Sequence, residues 1–378
     1  MNHLIRAFQA GTVLLMLFSF YHQGRGQEPV RKNLTENILK FRKFSYVDTQ
    51  GTGLESFSFL MPTDWKFEGG IYWLLDQPSM PANSAFRVYN PSGNEEFEVL
   101  PSYCFFWSTN QGQMSLFPPG TKYFGNTVKR PVTALTALND IILKKERVAF
   151  PGLTVISQGE LPELISALGI GKQLPGGITN EGTGAKIRIS YVKNGTPIEE
   201  EVWGVVETLN FPIQLMSGIS YNTLWYVHYV MSFKAKKGEL DRHTKIFQTI
   251  TSSFRINQQW QAKYDNVVEY LARQQIQRIR NTGEFSRMLS QMSDQMRNDQ
   301  LKQFEQRSNV YDQVAQKFSD NMLGIDRYFD PFEGRQVELP SGYNHAWCNN
   351  NGEYILTDNP NFNPNVGSNL NWQALERK

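Results

Sequence analysis

The chain is poor in the residues that most often carry chemistry. Of its 378 residues two are cysteine and five histidine. Cys104 and Cys348 stand far apart, and with so few His they leave no four-ligand pattern that resembles a structural zinc site, which excludes a zinc finger or ribbon. No Gly-x-Ser-x-Gly occurs, so the sharp strand-to-helix turn that exposes a hydrolase serine has no signature. No Gly-x4-Gly-Lys-Ser/Thr occurs either, and Gly169-Ile170-Gly171-Lys172 and Gly176-Gly177 read as loops rather than phosphate cradles. Net charge is also lacking: 38 Lys and Arg face 36 Asp and Glu, which provides no field for nucleic acid or anionic lipid. What is present is ordinary globular material, 40% hydrophobic with 29 glycines, and enough chain for about two domains.

The N-terminus says most. Residues 1–6 are short and basic, residues 10–20 are apolar and include Leu14-Leu15-Met16-Leu17-Phe18, and residues 22–27 are polar and Gly-rich. An apolar run of this length falls short of the roughly 20 residues that span a bilayer. Residues 1–27 therefore read as a secretory signal peptide, which predicts an exported protein, periplasmic or extracellular, with no transmembrane segment in the mature chain. Loss of Arg6 and Arg25 with the signal leaves 36 basic against 36 acidic side chains. In an oxidising compartment Cys104 and Cys348 have two readings, one bridge or two buried thiols.

Residues 44–256 read as a mixed α+β domain. Ile187, Ile189 and Tyr191 alternate with polar residues, Asn194-Gly195 supplies a tight turn and residues 202–206 run back, which predicts a hairpin. Residues 224–233 predict an interior strand, with Trp225, Val227, Tyr229, Met231 and Phe233 on one face. Helices are predicted at 131–145, with Pro131 in the first turn, and through Leu240, His243, Phe247, Ile250 and Phe254. Residues 258–322 predict long amphipathic helices with stripes at Tyr264, Val268 and Leu271 and at Phe285, Met288, Met292 and Met296. Such stripes bury against the first domain, each other in a coiled coil, or another subunit. Residues 324–378 read as a small β- and turn-rich segment.

Candidate chemistry is thin. Asp326, Asp330 and Glu333 are an oxygen-rich set that hard cations favour, and the only weak calcium candidate; Asp358, Asn361, Asn363 and Asn365 read as turn formers. The run Glu199-Glu200-Glu201 reads as a solvated strand edge. His228 reads as a hydrogen-bonded core residue, His243 likewise on its helix stripe, and Cys104 as a buried thiol. Tyr343, His345 and Trp347 are candidate binding residues in the turn-rich tail, and Trp225, Trp347 and Trp372 are the rings for a sugar or peptide platform. No catalytic residue and no cofactor is predicted.

The stretch Phe57-Ser58-Phe59-Leu60-Met61-Pro62-Thr63-Asp64-Trp65 resembles the opening of the Mog1/PsbP-like family, and Phe247-Gln248-Thr249-Ile250-Thr251-Ser252-Ser253-Phe254 its closing helix. That resemblance implies an α/β/α sandwich on an antiparallel sheet, followed here by the long helical segment and the β-rich C-terminal appendix, in a family of binding and assembly factors. As a whole the chain also resembles a family of uncharacterised secreted bacterial proteins, through residues 337–343, Trp347 and residues 352–356; that likeness brings no activity. The function expected is a non-enzymatic envelope protein that mediates assembly or partner binding, through a protein partner or a homo-oligomer built on residues 258–322. The alternative is a secreted hydrolase of glycan or peptide, with carboxylates from distant segments.

Overall fold

The computed structural model describes residues 38–171, 173–174, 177–215, 218–273 and 325–377; residues 1–27 and 274–322, where the signal peptide and most of the long helices are expected, lie outside them. The chain begins with β1 (Leu39–Val47) and β2 (Glu55–Pro62), then β3 (Lys66–Trp73), β4 (Ala82–Tyr89), β5 (Glu96–Val99) and β6 (Tyr103–Ser108). Helix α1 (Gln111–Leu116), β7 (Lys122–Tyr123) and β8 (Asn126–Val128) follow. Helix α2 starts at Ala134–Ala137, widens into a π-helical Leu138–Leu143 and ends with Lys144–Glu146. Its cap is Thr133, whose hydroxyl accepts from Thr136 N, so Pro131 lies before the helix rather than in its first turn. Next come β9 (Thr154–Glu160), α3 (Pro162–Ala167), β10 (Gln173–Leu174) and the long strands β11 (Ile178–Lys193), β12 (Thr196–Leu215) and β13 (Gly218–Lys236). A 3-10 turn at Leu240–His243 leads into α4 (Thr244–Ser252), β14 (Arg255–Ile256) and α5 (Gln258–Arg273). The tail supplies β15 (Ile325–Asp330), β16 (Arg335–Pro340), β17 (His345–Asn349), β18 (Glu353–Thr357) and β19 (Trp372–Ala374).

This overturns the expected α/β/α sandwich. The chain is mostly β, with short helices between and beside two large sheets. One sheet runs β10-β11-β12-β13-β5-β4-β3, with β6 on β13 and β9 on β11. The other runs β14-β2-β1-β18-β17-β19. The C-terminal strands are therefore no appendix: Leu39 pairs with Leu356 and Arg42 with Glu353, which joins the tail to the first strand. Of the expected long helical segment, the described part is α5, 16 residues.

The register explains the layers. On β2, Phe57, Phe59 and Met61 face the larger sheet, where they meet Phe86, Phe97, Trp203 and Phe233 together with Phe247 and Ile250 of α4. Leu60 faces the other way, with Phe41, onto Tyr328, Val337 and Leu339 of the β15–β16 hairpin. On the far side of the large sheet, Leu138, Ile141 and Ile142 of α2 cover Ile187, Ile189, Val202 and Val230. Alternation along β2 and through the middle of β12 and β13 thus buries both faces. The hairpin at Asn194-Gly195 is present, with φ of 51° and 77°, values that Asn and Gly tolerate best.

Strand β13 does not alternate as expected. Val205 pairs with His228, but Trp203 pairs with Met231, so Tyr229 and Val230 together oppose Gly204. This is a β-bulge, and Tyr229 sits at φ 52° within it. Trp225 and Val227 consequently pack under α2, whereas Tyr229, Met231 and Phe233 turn to the opposite core. Gly204 lets α2 pack closely there, since a Cβ would lie 2.9 Å from Leu138 Cδ2 and the leucine would have to shift.

The run Glu199-Glu200-Glu201 is no solvated edge, because all three side chains are buried. Arg147 holds both Glu200 oxygens from Nε at 3.1 and 3.0 Å and reaches Glu98 at 2.6 Å. Lys234 pairs with Glu96 at 2.6 Å and with Glu98, and Ser232 donates to Glu200. Burial pushes the Glu200 carboxyl up, but Lys234, Arg147 and Ser232 outweigh it and hold the group at about 2. On the other face Arg188 binds Glu199 at 2.6 Å, and Trp203 Nε1 donates to Glu201 at 2.7 Å.

Candidate functional site

A cavity of about 80 Å³ lies in the seam between the two sheets and α5. One wall is β2 and β14, with Ser56, Phe57 and Ile256; a second is Ile71 of β3 with Ala82, Asn83 and Ser84 of β4; a third is Trp260 and Tyr264 of α5. The floor is β13, with Tyr226, His228 and Tyr229. Two consecutive strand residues normally face opposite ways. The bulge is what turns His228 and Tyr229 into the same space.

The α5 wall is locked from its first turn. Asn257 Oδ1 accepts from Gln259 N at 2.8 Å and from Trp260 N at 3.3 Å, satisfying helix-end donors. Asp48, fully buried, then clamps two indoles: Trp260 Nε1 donates to it at 2.9 Å and Trp73 Nε1 at 3.2 Å. Trp260 stacks on Tyr264 with ring centroids 5.6 Å apart. Asn83 is equally fixed, donating to Ser102 O at 2.7 Å and accepting from Ser102 N at 3.0 Å.

Behind the floor, Glu207 of β12 approaches His228 Nε2 at 3.2 Å. Both are buried. The contact lacks hydrogen-bond alignment, and His228 Nε2 has no hydrogen-bond partner among the described residues, so it does little to offset desolvation. Burial accordingly pushes the Glu207 carboxyl up to about 7, against a hydrogen bond from Asn180, and the His228 imidazole down to about 3. Between those values both groups are neutral. A neutral imidazole offers one donor and one acceptor.

The residues expected from sequence fall elsewhere. Tyr343, His345 and Trp347 are all half-buried; the Tyr343 carbonyl accepts from Arg377 at 2.9 Å, and the Trp347 Nε1 is buried without a partner among the described residues. Asp326 pairs with Arg377 at 2.9 Å. Glu333 is held by Lys43 at 2.7 Å and by Arg335. Asp330, buried, accepts from Tyr354 Oη at 2.5 Å and from the backbone of Phe332 and Glu333. Each carboxylate of that set is thus engaged by protein. Trp225 and Trp372 are buried. Asn361 N and Asn365 N each bond an Asn side chain two residues earlier, which is the turn role expected. Cys104 and Cys348 are separate free thiols, both buried, and burial pushes each up to about 12. His243 leaves its helix stripe and lies half-buried on the 3-10 turn. Asn83 and Trp260 carried no signal in the sequence. The one available hint for Glu207 was a lone acid within the apolar run that pairs with the strand of His228.

No protein-family model matches this chain, and a search of curated proteins finds no match. Among solved structures it is similar to the crystal structure of LpqN, a protein involved in cell envelope biogenesis of Mycobacterium tuberculosis. That similarity is 12% in sequence, covers 57% of this chain and 91% of LpqN, and has a TM-score of 0.21. At that score it carries no argument about fold or role. No helix among the described residues is long and apolar enough to cross a membrane.

Proposed function

We propose that the protein is an exported, non-enzymatic envelope protein that binds a partner by taking one of its side chains into the cavity floored by His228 and Tyr229. The observation that supports this is the size of the cavity together with its lining. At about 80 Å³ it is well below the roughly 300–1,000 Å³ of a drug-sized ligand site. A sugar chain or a length of peptide is too large for that volume, and a single side chain is of its order. Aromatic rings from β2, β13 and α5 stand around the space beside Ile71, Met80 and Ile256, and His228 offers the polar tip a bond, which is the make-up of a pocket for an anchor residue at a protein interface. The test uses 4-methylphenol as a stand-in for a tyrosine side chain, followed by the Trp260 signal. Saturable binding that Ala82→Leu removes, by filling the cavity, supports the reading; binding that Ala82→Leu leaves unchanged refutes it.

One observation favours a second reading, the secreted hydrolase: a histidine at the cavity with an acid 3.2 Å behind it, a pair that acts as an oriented general base once substrate binding aligns the contact into a hydrogen bond. On that reading Glu207→Gln abolishes turnover of the substrate while 4-methylphenol still binds. Turnover that survives Glu207→Gln removes it.

A further inference from the structure

Away from the cavity, Glu95, Glu239 and His243 bring one ligand atom each within 4.8 Å of one another. Glu95 closes the turn between β4 and β5, where Asn90 N bonds its carbonyl at 2.9 Å. Glu239 and His243 stand at the two ends of the 3-10 turn before α4, and that turn brings their ligand atoms to Glu95. All three are half-buried.

We infer that these three residues form a binding site for a divalent transition-metal ion, zinc foremost. With metal–ligand bonds of about 2.0–2.2 Å, the ligands of a tetrahedral site lie roughly 3.4 Å apart. His243 Nε2 and Glu95 Oε1 are 3.5 Å apart. That separation suits two ligands of one ion and is long for a charge-assisted hydrogen bond, which closes to about 2.7–2.9 Å. The imidazole distinguishes the set from a calcium or magnesium site, where oxygen ligands prevail. Glu95 is also prepared as a ligand: its second oxygen accepts from Asn90 Nδ2 at 2.7 Å, the outer hydrogen bond that orients ligating carboxylates. No Lys or Arg pairs with Glu95 or Glu239 among the described residues, so their charge is left for a cation. Asp241, on the same turn, is held by Arg188 at 3.0 Å and stays out of the set. Three protein ligands leave a fourth position for water, and the ion would staple the β4–β5 turn to the turn that starts α4.

The test is zinc chloride titrated into the chelator-treated full chain by calorimetry, with cobalt(II) as the optical probe. The expected result is one zinc per chain and a tetrahedral cobalt spectrum. Both disappear in His243→Ala and in Glu239→Gln, while Glu333→Gln keeps them. Asn90→Ala weakens binding by about 10–100-fold, as loss of an orienting hydrogen bond does. Absence of saturable zinc binding overturns the inference, and so does binding that His243→Ala and Glu239→Gln leave unchanged in variants whose circular dichroism shows a native fold.

Discussion

Glu207→Gln offers a pH experiment with an internal control. In the folded chain Glu207 keeps its proton up to about pH 7, whereas the unfolded carboxyl releases it near its ordinary 4.5. Between those values the folded state binds the extra proton, so this group lowers stability as pH rises from 4.5 to 7 and adds nothing further above that. At 1.36 kcal/mol per pKa unit the effect is about 3 kcal/mol. His228 acts in the opposite sense. Its folded imidazole refuses a proton until about pH 3 and its unfolded form takes one at 6.5, so its contribution falls as pH drops from 6.5 toward 3. The two slopes oppose each other between pH 4.5 and 6.5, which hides both in the wild type. Gln at 207 keeps the shape and removes one titration, so the difference between the two stability curves isolates the carboxyl. Urea midpoints measured from pH 4.5 to 8 are expected to show the variant gaining about 3 kcal/mol on the wild type by pH 7, then a constant gap. Parallel curves across that range would refute the buried, protonated Glu207 on which the electrostatics of the cavity floor rest.

Arg147→Met leaves fully buried Glu200 without its two-nitrogen partner and is expected to cost about 3–5 kcal/mol in urea unfolding. Arg147→Met combined with Glu200→Met removes both charges, and its loss is expected to be smaller than the sum of the single losses; additive losses contradict the pairing. Neither thiol is expected to react with a disulfide reagent in the native chain, since Cys104 and Cys348 are buried and pushed up to about 12. Both react after unfolding, and a reductant leaves the melting temperature unchanged; a single intramolecular disulfide in the purified protein contradicts this.

Local signals were legible in the sequence and distant ones were not. The Asn194-Gly195 hairpin is legible because its turn needs residues that tolerate positive φ, and Asn and Gly are those residues. Short strands at 337–340 and 353–356 are legible from alternation. Their place in the sheet is not, because β18 pairs with β1 about 300 residues earlier and nothing in either strand marks the other. The acidic run at 199–201 looked like a solvated edge, since the cations that neutralise it, Arg147 and Arg188 in ion pairs and Lys234 through its nearby charge, come from separate segments. The cavity was hidden for a subtler reason. It exists because Tyr229 adopts φ 52°, and a tyrosine in a run of apolar and aromatic residues carries no mark of a bulge. A strict two-residue alternation sends Tyr229 to the face opposite His228, and the site vanishes.

Partner binding on this scheme requires that the space over His228 and Tyr229 accept a side chain. The direct measurement is a 4-methylphenol titration of the full chain by NMR, with contacts traced from the probe to Ile71, His228 and Tyr264. The expected result is saturable binding with contacts to all three residues, lost in Ala82→Leu. Saturation with contacts elsewhere, or no saturation in a folded chain, contradicts it.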